Sequence, residues 1–221
     1  MIGLILTLVY YVIALQLKKR FKSPLLNPVL VAVAFLIMTI IWTPLDYDTY
    51  IKGGKLIGDA LGPVVVLLAL PLYRHRDAIK TYFAPIVIGI LVSISSSVLV
   101  IIGLGTLFGL DLQLIKTLIP KSITTPMAME VSSMLGGLSD ITVIVVIITG
   151  ILGATIAPII MKLAKTKSDI AKGIAIGSAS HGIGTSKAME MSGQAGAMSG
   201  LAMGLTGVIF VLLTSLYVLF I

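Results

Sequence analysis

Two stretches of the chain hold most of the side chains able to do chemistry: TTPMAMEVSSMLGG from Thr124 and TSKAMEMSGQAGAM from Thr185. Each sets a carboxylate, Glu130 or Glu190, five residues beyond a threonine, Thr125 or Thr185. Just upstream stand hydroxyls (Ser122 and Thr124; Ser178 and Ser180) and a basic residue, Lys121 or His181. The second stretch adds Gly182, Gly184, Ser186 and Lys187. Hydroxyls, a cation and the free N–H groups of a helix start are the donors a small anion needs. Glycines let backbone approach a ligand closely. A charge at membrane depth costs about 2.5–3.5 kcal/mol, so an unpaired carboxylate there marks ion or proton movement. The candidate anion site is therefore Lys121, Ser122, Thr124, Thr125, Ser178, Ser180, His181, Gly182, Gly184, Thr185, Ser186 and Lys187. Glu130 and Glu190 are the candidates for coupling to H⁺ or Na⁺. Plainer roles compete with these. The hydroxyls could cap helices, Glu130 could pair with Lys121, and Glu190 with Lys187 or His181. Lys187 could reach the interface, and His181 could carry a proton.

Composition supplies the setting. The 221 residues are 57% hydrophobic and 11% charged, with a mean hydropathy of +1.12. A soluble domain must wet its surface, so this balance indicates an integral membrane protein in contact with the lipid bilayer. The net charge of +7 sits in short clusters between apolar runs, a pattern of topology signals rather than of a nucleic-acid surface. With no cysteine there is no disulfide or thiolate chemistry. His75 and His181 match no metal-ligand spacing, and no Walker A loop, dinucleotide fingerprint or HExxH occurs. No metal, cofactor or catalytic residue is expected. Ser178, Ser180, His181 and Glu190 lack the nucleophile-elbow context of a hydrolase, so the chain reads as no enzyme.

Apolar segments long enough to span run over about 1–17, 25–43, 56–73, 82–107, 140–163 and 198–221,. The first is followed by Lys18, Lys19, Arg20 and Lys22, the reverse of a signal peptide's order, which predicts a first membrane helix with its N-terminus outside. The loop near Asp46–Asp59 is mixed in charge and is expected outside. The stretches at about 110–137 and 170–197 fit no span. Each is an apolar run, a small or polar break (PKSITTP, SASHGIGTS) and a second short run. Ten or so helical residues cover only about half the hydrocarbon. Re-entrant hairpins at both places keep Lys162, Lys165, Lys167 and Lys172 on the same side as Lys18–Lys22 and Arg74, Arg76 and Lys80, as positive charge requires. The hairpins then enter from opposite sides, and the half-helices begin near Thr125 and Thr185.

The two stretches also repeat. Offset by 60, residues 121–137 and 181–197 are identical at seven of 17 positions: Ile123/Ile183, Thr125/Thr185, Ala128/Ala188, Met129/Met189, Glu130/Glu190, Ser132/Ser192 and Gly136/Gly196. Chance would give about one. A repeat whose copies are separated by an odd number of crossings is inverted, as in secondary transporters with discontinuous helices. The fold expected is all-α and polytopic: about six membrane helices plus two re-entrant or broken-helix hairpins, with 1–105 as scaffold or dimerisation helices and 106–221 as a hairpin-bearing transport domain. Eight of ten methionines lie within 127–203 and read as adaptable packing. Gly150 and Gly153, and Gly196, Gly200 and Gly204, allow close helix contact.

The segments ITTPMAMEVSSMLGG and ASHGIGTSKAMEMSGQAGAMSGLAMGLTG resemble the LrgB/CidB family over nearly the whole chain. That resemblance implies an antiholin-like regulator of murein hydrolase activity and lysis, acting beside a small membrane partner of the LrgA/CidA type. It also implies relatedness to the plastid glycolate/glycerate translocator and to bacterial pyruvate uptake or export. Two expectations follow. One is a secondary carrier of a small carboxylate anion (pyruvate, glycolate, glycerate or lactate type), coupled to H⁺ or Na⁺ and homodimeric, in a bacterial or archaeal plasma membrane. The other is a holin-like lysis regulator.

Overall fold

The computed structural model describes residues 1–21, 28–60, 63, 73 and 76–220, and among these all regular structure is helical. The helices are α1 (Ile2–Phe21), α2 (Pro28–Trp42), α3 (Tyr47–Asp59), α4 (Arg76–Thr81), α5 (Phe83–Leu107), α6 (Leu112–Leu118), α7 (Thr125–Leu135), α8 (Ser139–Leu163), α9 (Asp169–Met191) and α10 (Gly193–Leu219). Most of the expected third span, 56–73, lies outside the described residues, as do Lys22, Arg74 and His75. Of the described helices, α1, α5, α8 and α10 are long and apolar enough to cross a membrane. The chain is a multi-pass membrane protein.

Packing divides the chain into two compact units, Met1–Val64 and Val65–Ile221. In the first unit α1 packs on α2 and α3. Tyr10 and Thr39 share a 2.7 Å hydroxyl hydrogen bond, and Thr7 and Tyr50 one of 2.9 Å. The segment 46–59, expected as a loop, is instead helical from Tyr47. Gly3 of α1 sits against the Tyr50 carbonyl and Gly53 against the Gly3 backbone, so two glycines let α3 lie directly on α1. Mixed charge alone does not distinguish a loop from a helix with one packed face.

The second unit holds both hairpins. In α9 the helix breaks at Ser180 (φ −137°, ψ 17°) and His181 (φ 40°, ψ −139°). Before the break, Gly173 meets Ala195 and Met198, and Gly177 meets the backbone of Ser199. After it, Met189 packs on Gly196 and Thr185 hydrogen-bonds Ser199 at 2.9 Å. The first half thus climbs α10 from 195 to 199, while the second descends from 199 to 196. The two halves are antiparallel, and α9 is a hairpin with His181 at its tip. Gly184 makes the turn possible, because a side chain there would strike Ser180 and Ile176. At the base, Asp169 takes a 2.7 Å bond from Lys172. That ammonium, and then the Ser192 hydroxyl, hold the Asp169 carboxyl below its usual range.

The other hairpin is α6, a turn and α7. Its base rests on the start of α8: the Leu138 N–H donates to Thr117 Oγ1 at 2.8 Å, Thr142 donates to the Thr117 carbonyl at 3.0 Å, and Ser139 to the Met129 carbonyl at 3.0 Å. Hairpin α9 meets α8 further along, with Ala157 and Ile176 in one apolar cluster. The two hairpins therefore approach α8 from its opposite ends. Ile86, Ile90 and Ile94 of α5 share one core with Ile123, Met127, Ala128 and Val131 of the first hairpin and Leu201, Ala202 and Phe210 of α10. Helix α5 accordingly belongs to the compact second unit. The division expected near residue 105 concerns which parts move.

Two boundaries differ from expectation. The second half-helix starts at Gly182 rather than near Thr185, since the break is confined to two residues and the HGIG sequence resumes the helix at once. Helix α10 starts at Gly193 rather than 198, because Ser192 caps it by accepting from the Ala195 N–H,.

Gly177→Ala places a methyl group against the Ser199 backbone, which cannot yield as a flexible side chain does. It should cost about 1–3 kcal/mol of stability. Gly103→Ala, in open space within α5, should be neutral or stabilising. Thermal unfolding of both variants in detergent checks the pair.

Candidate functional site

Both hairpin tips lie at mid-height of a 25-residue helix. Lys121 Nζ of the first tip donates to Ser97 Oγ of α5 at 3.0 Å and to Ser122 Oγ at 3.3 Å, and Ser97 and Ser122 are themselves 3.3 Å apart. Ser97 is within one turn of the middle of α5. The second tip lies on the middle of α8. The His181 ring fills the space over Gly150, where a methyl group would meet it at 2.5 Å, and Ser180 fills that over Gly153. The two tips flank the same region of α10, where Met127 packs on Gly207 and Met203 lies by Gly182.

The tips are equivalent in sequence but not in what they offer. His181 is buried, with Nε2 2.9 Å from the Val146 carbonyl. A carbonyl only accepts, so Nε2 carries the proton and donates. The residue also holds a positive φ of 40°, a region costing about 1–3 kcal/mol for a non-glycine, which burial and the Val146 bond must offset. Thr185 Oγ1 donates to the His181 carbonyl at 2.8 Å, Ser178 to the Ile174 carbonyl at 2.8 Å, and Ser186 to the Gly182 carbonyl at 3.2 Å. Ser178 and His181 therefore do not make a nucleophile–base pair. At the first tip, among the described residues, Lys121 hydrogen-bonds hydroxyls. Thr124, the residue before α7, makes no capping bond, and its Oγ1 is buried without a partner. Thr125 opens α7, with Pro126 in its first turn, a position suited to proline.

The carboxylates lie away from the tips, on exposed faces of the half-helices. Glu190 pairs with Lys187 at 2.8 Å, the two side chains 50% and 33% exposed. Glu130 is exposed. Lys121 and Glu130 form no ion pair, so the structure brings Lys121 together with Ser122 and Ser97 instead.

A groove of about 610 Å³ lies between α5 and α9. Its lining runs from Tyr82 and Ser168, the residues preceding α5 and α9, to Ser93, Ser178 and Ala179. Gly89, Val92, Ile174 and Ala175 form its walls. Ser93 is one helical turn from Ser97, on the same face.

Sequence reasoning missed Ser97, Ser199 and the Val146 carbonyl. The run SISSS at 93–97, in the middle of an apolar span, was a legible signal for the first. A backbone carbonyl leaves none.

Residues 7–220 match the LrgB-like family. The uncharacterized protein YxaC of Bacillus subtilis is 38% identical over 206 residues, covering 93% of this chain and 90% of that protein. Holin-like protein CidB of Staphylococcus epidermidis and of Staphylococcus aureus are each 37% identical, with the same coverage. No solved structure matches.

The notch in α8 predicts that Gly150→Ala and Gly153→Ala unseat the second tip. Each should lower stability by about 1–3 kcal/mol and raise proteolytic cleavage near Ser180. Limited proteolysis in nanodiscs measures both, with Gly103→Ala as the unaffected control.

Proposed function

The chain belongs to the LrgB-like family, and from that premise we propose a role in the cell and a molecular activity that rest on different observations. The role is holin-like or antiholin-like control of murein hydrolase activity and lysis, beside a small membrane partner of the LrgA/CidA type. The holin-like CidB relatives support it, and of the two proposals it is the one the comparisons favour.

The activity that the geometry supports best is movement of a small carboxylate anion across the plasma membrane. The observation that carries it is the pair of look-alike hairpins, approaching α8 from opposite ends and halting at mid-height with a lysine and hydroxyls at one tip. A lysis pore needs no such matched pair. In this reading, α5, α8 and α10 cross the membrane and the hairpins re-enter it from opposite sides as an inverted repeat. The anion, of the pyruvate, glycolate, glycerate or lactate type, is received between the tips, whose candidate residues run from Lys121 to Thr125 and from Ser178 to Lys187. The part from about 106 to 221 then moves against residues 1–105 in an elevator-like cycle within a homodimer. Glu130, in no ion pair among the described residues, is the stronger candidate for H⁺ or Na⁺ coupling. Glu190 is already paired with Lys187.

Reconstituted into proteoliposomes, the protein should take up labelled pyruvate, glycolate or glycerate above the empty-liposome background under a proton or sodium gradient, and Glu130→Gln should lose the gradient's effect. Uptake equal to background under both gradients removes the carrier. Autolysis rates in cells expressing wild type or Glu130→Gln then separate the two levels. A lysis phenotype unchanged by the variant would make lysis control independent of transport.

A further inference from the structure

We propose that the carboxylate of a small monocarboxylate is held at the first hairpin's tip and not at the second's, on Lys121 and Ser122 together with Ser97 of α5, and arrives through the groove between α5 and α9. This rests on the carrier reading and assigns the anion's charged end to one of two tips that sequence treats as equal.

The second tip has little left to offer an anion. His181 Nε2 donates to Val146, and Thr185, Ser178 and Ser186 each donate to a carbonyl of their own helix. In a neutral imidazole whose Nε2 is protonated, Nδ1 is an acceptor and repels an anion. The first tip is open by comparison. An ammonium has three protons, and among the described residues that of Lys121 hydrogen-bonds the hydroxyls of Ser97 and Ser122 alone. Among the described residues no carboxylate lies within ion-pair distance of it. A cation at mid-height of an apolar span, without a counter-charge, is costly to hold, and an incoming anion supplies that charge. The buried, unpartnered Thr124 Oγ1 lies three residues further on.

The groove fixes the class of ligand. Its volume, about 610 Å³, suits a small organic molecule, and Ser93, part of its lining, is one turn from Ser97. The walls at Val92, Ile174 and Ala175 are apolar, and the lining holds hydroxyls but no cation. They accept a short neutral remainder and offer a second carboxylate no counter-charge. A monocarboxylate fits and a dicarboxylate does not.

The absence of native cysteine permits a direct test on the full chain. Ser93→Cys in proteoliposomes is labelled with a membrane-impermeant thiol reagent, with pyruvate or malonate as competitor. Pyruvate should slow labelling and malonate should not, with reagent reaching the cysteine from the face that carries Lys165. Adding Lys121→Met should raise the half-protecting concentration about ten-fold or more, the worth of one charge-assisted contact. Ser97→Ala should raise it less, Lys121→Arg should restore much of the loss, and Lys165→Met should change nothing. Protection undiminished in Lys121→Met, equal protection by malonate, or labelling only from the opposite face overturns the inference. If the Ser93→Cys protein transports pyruvate without being protected, this inference alone fails. If it neither transports nor is protected, the carrier reading fails with it.

Discussion

Everything in the second unit depends on a backbone that stops being helical halfway along its neighbours. In hydrocarbon, an unpaired N–H or C=O costs several kcal/mol, so a broken helix survives only where protein covers it. Close contact with α8 and α10 provides that cover here, and glycine permits the contact. Gly150 and Gly153 make the notch for the second tip, Gly184 lets the chain double back, and Gly173 and Gly177 set its first half on α10. Methionines fill the remaining gaps against glycine: Met127 on Gly207, Met189 on Gly196, Met198 on Gly173. An unbranched thioether chain adapts to such irregular space.

That constraint is met differently at the two tips, and the difference gives the site its polarity. At the second tip a glycine-rich turn has no intervening loop, and the histidine is drawn into the α8 notch. At the first, two prolines bracket the turn: Pro120 follows α6, and Pro126 sits in the first turn of α7. The turn is longer, and its lysine reaches a serine of α5 rather than a carbonyl of α8. One tip is thus tied down by its own hydrogen bonds, and the other keeps a cation available. Two copies of one sequence motif have become unequal through their surroundings.

Much of this architecture was legible in the residues. The spans at 82–107 and 140–163 match α5 and α8 within a residue, because long apolar runs leave few alternatives. The two interrupted stretches are both hairpins, and the repeat at offset 60 marks comparable contacts: Thr117 meets Thr142 of α8 and Gly177 meets Ser199 of α10. The misses have local causes. Helix α3 was hidden by its mixed charge. The starts of α10 and of the second half-helix were misplaced because a single cap, Ser192, and a two-residue break decided them. Ser132 shows the limit of matching positions: it lies buried inside α7 and shares a 2.8 Å hydrogen bond with the Thr142 hydroxyl, while its counterpart Ser192 caps α10.

By itself, the sequence determined that the chain lives in a membrane, that two stretches interrupt its long apolar spans, and that these stretches are copies of one unit. Hydropathy, segment length and identity are properties of the chain alone, and no packing can alter them. Tertiary structure decided which polar groups are used up and which are free. Lys121 and His181 differ because of Ser97, Val146 and Gly150, residues 24 to 35 positions away. A hydrogen bond is spent or spared by whatever folding brings within about 3 Å of it, and neither spacing nor composition carries that information.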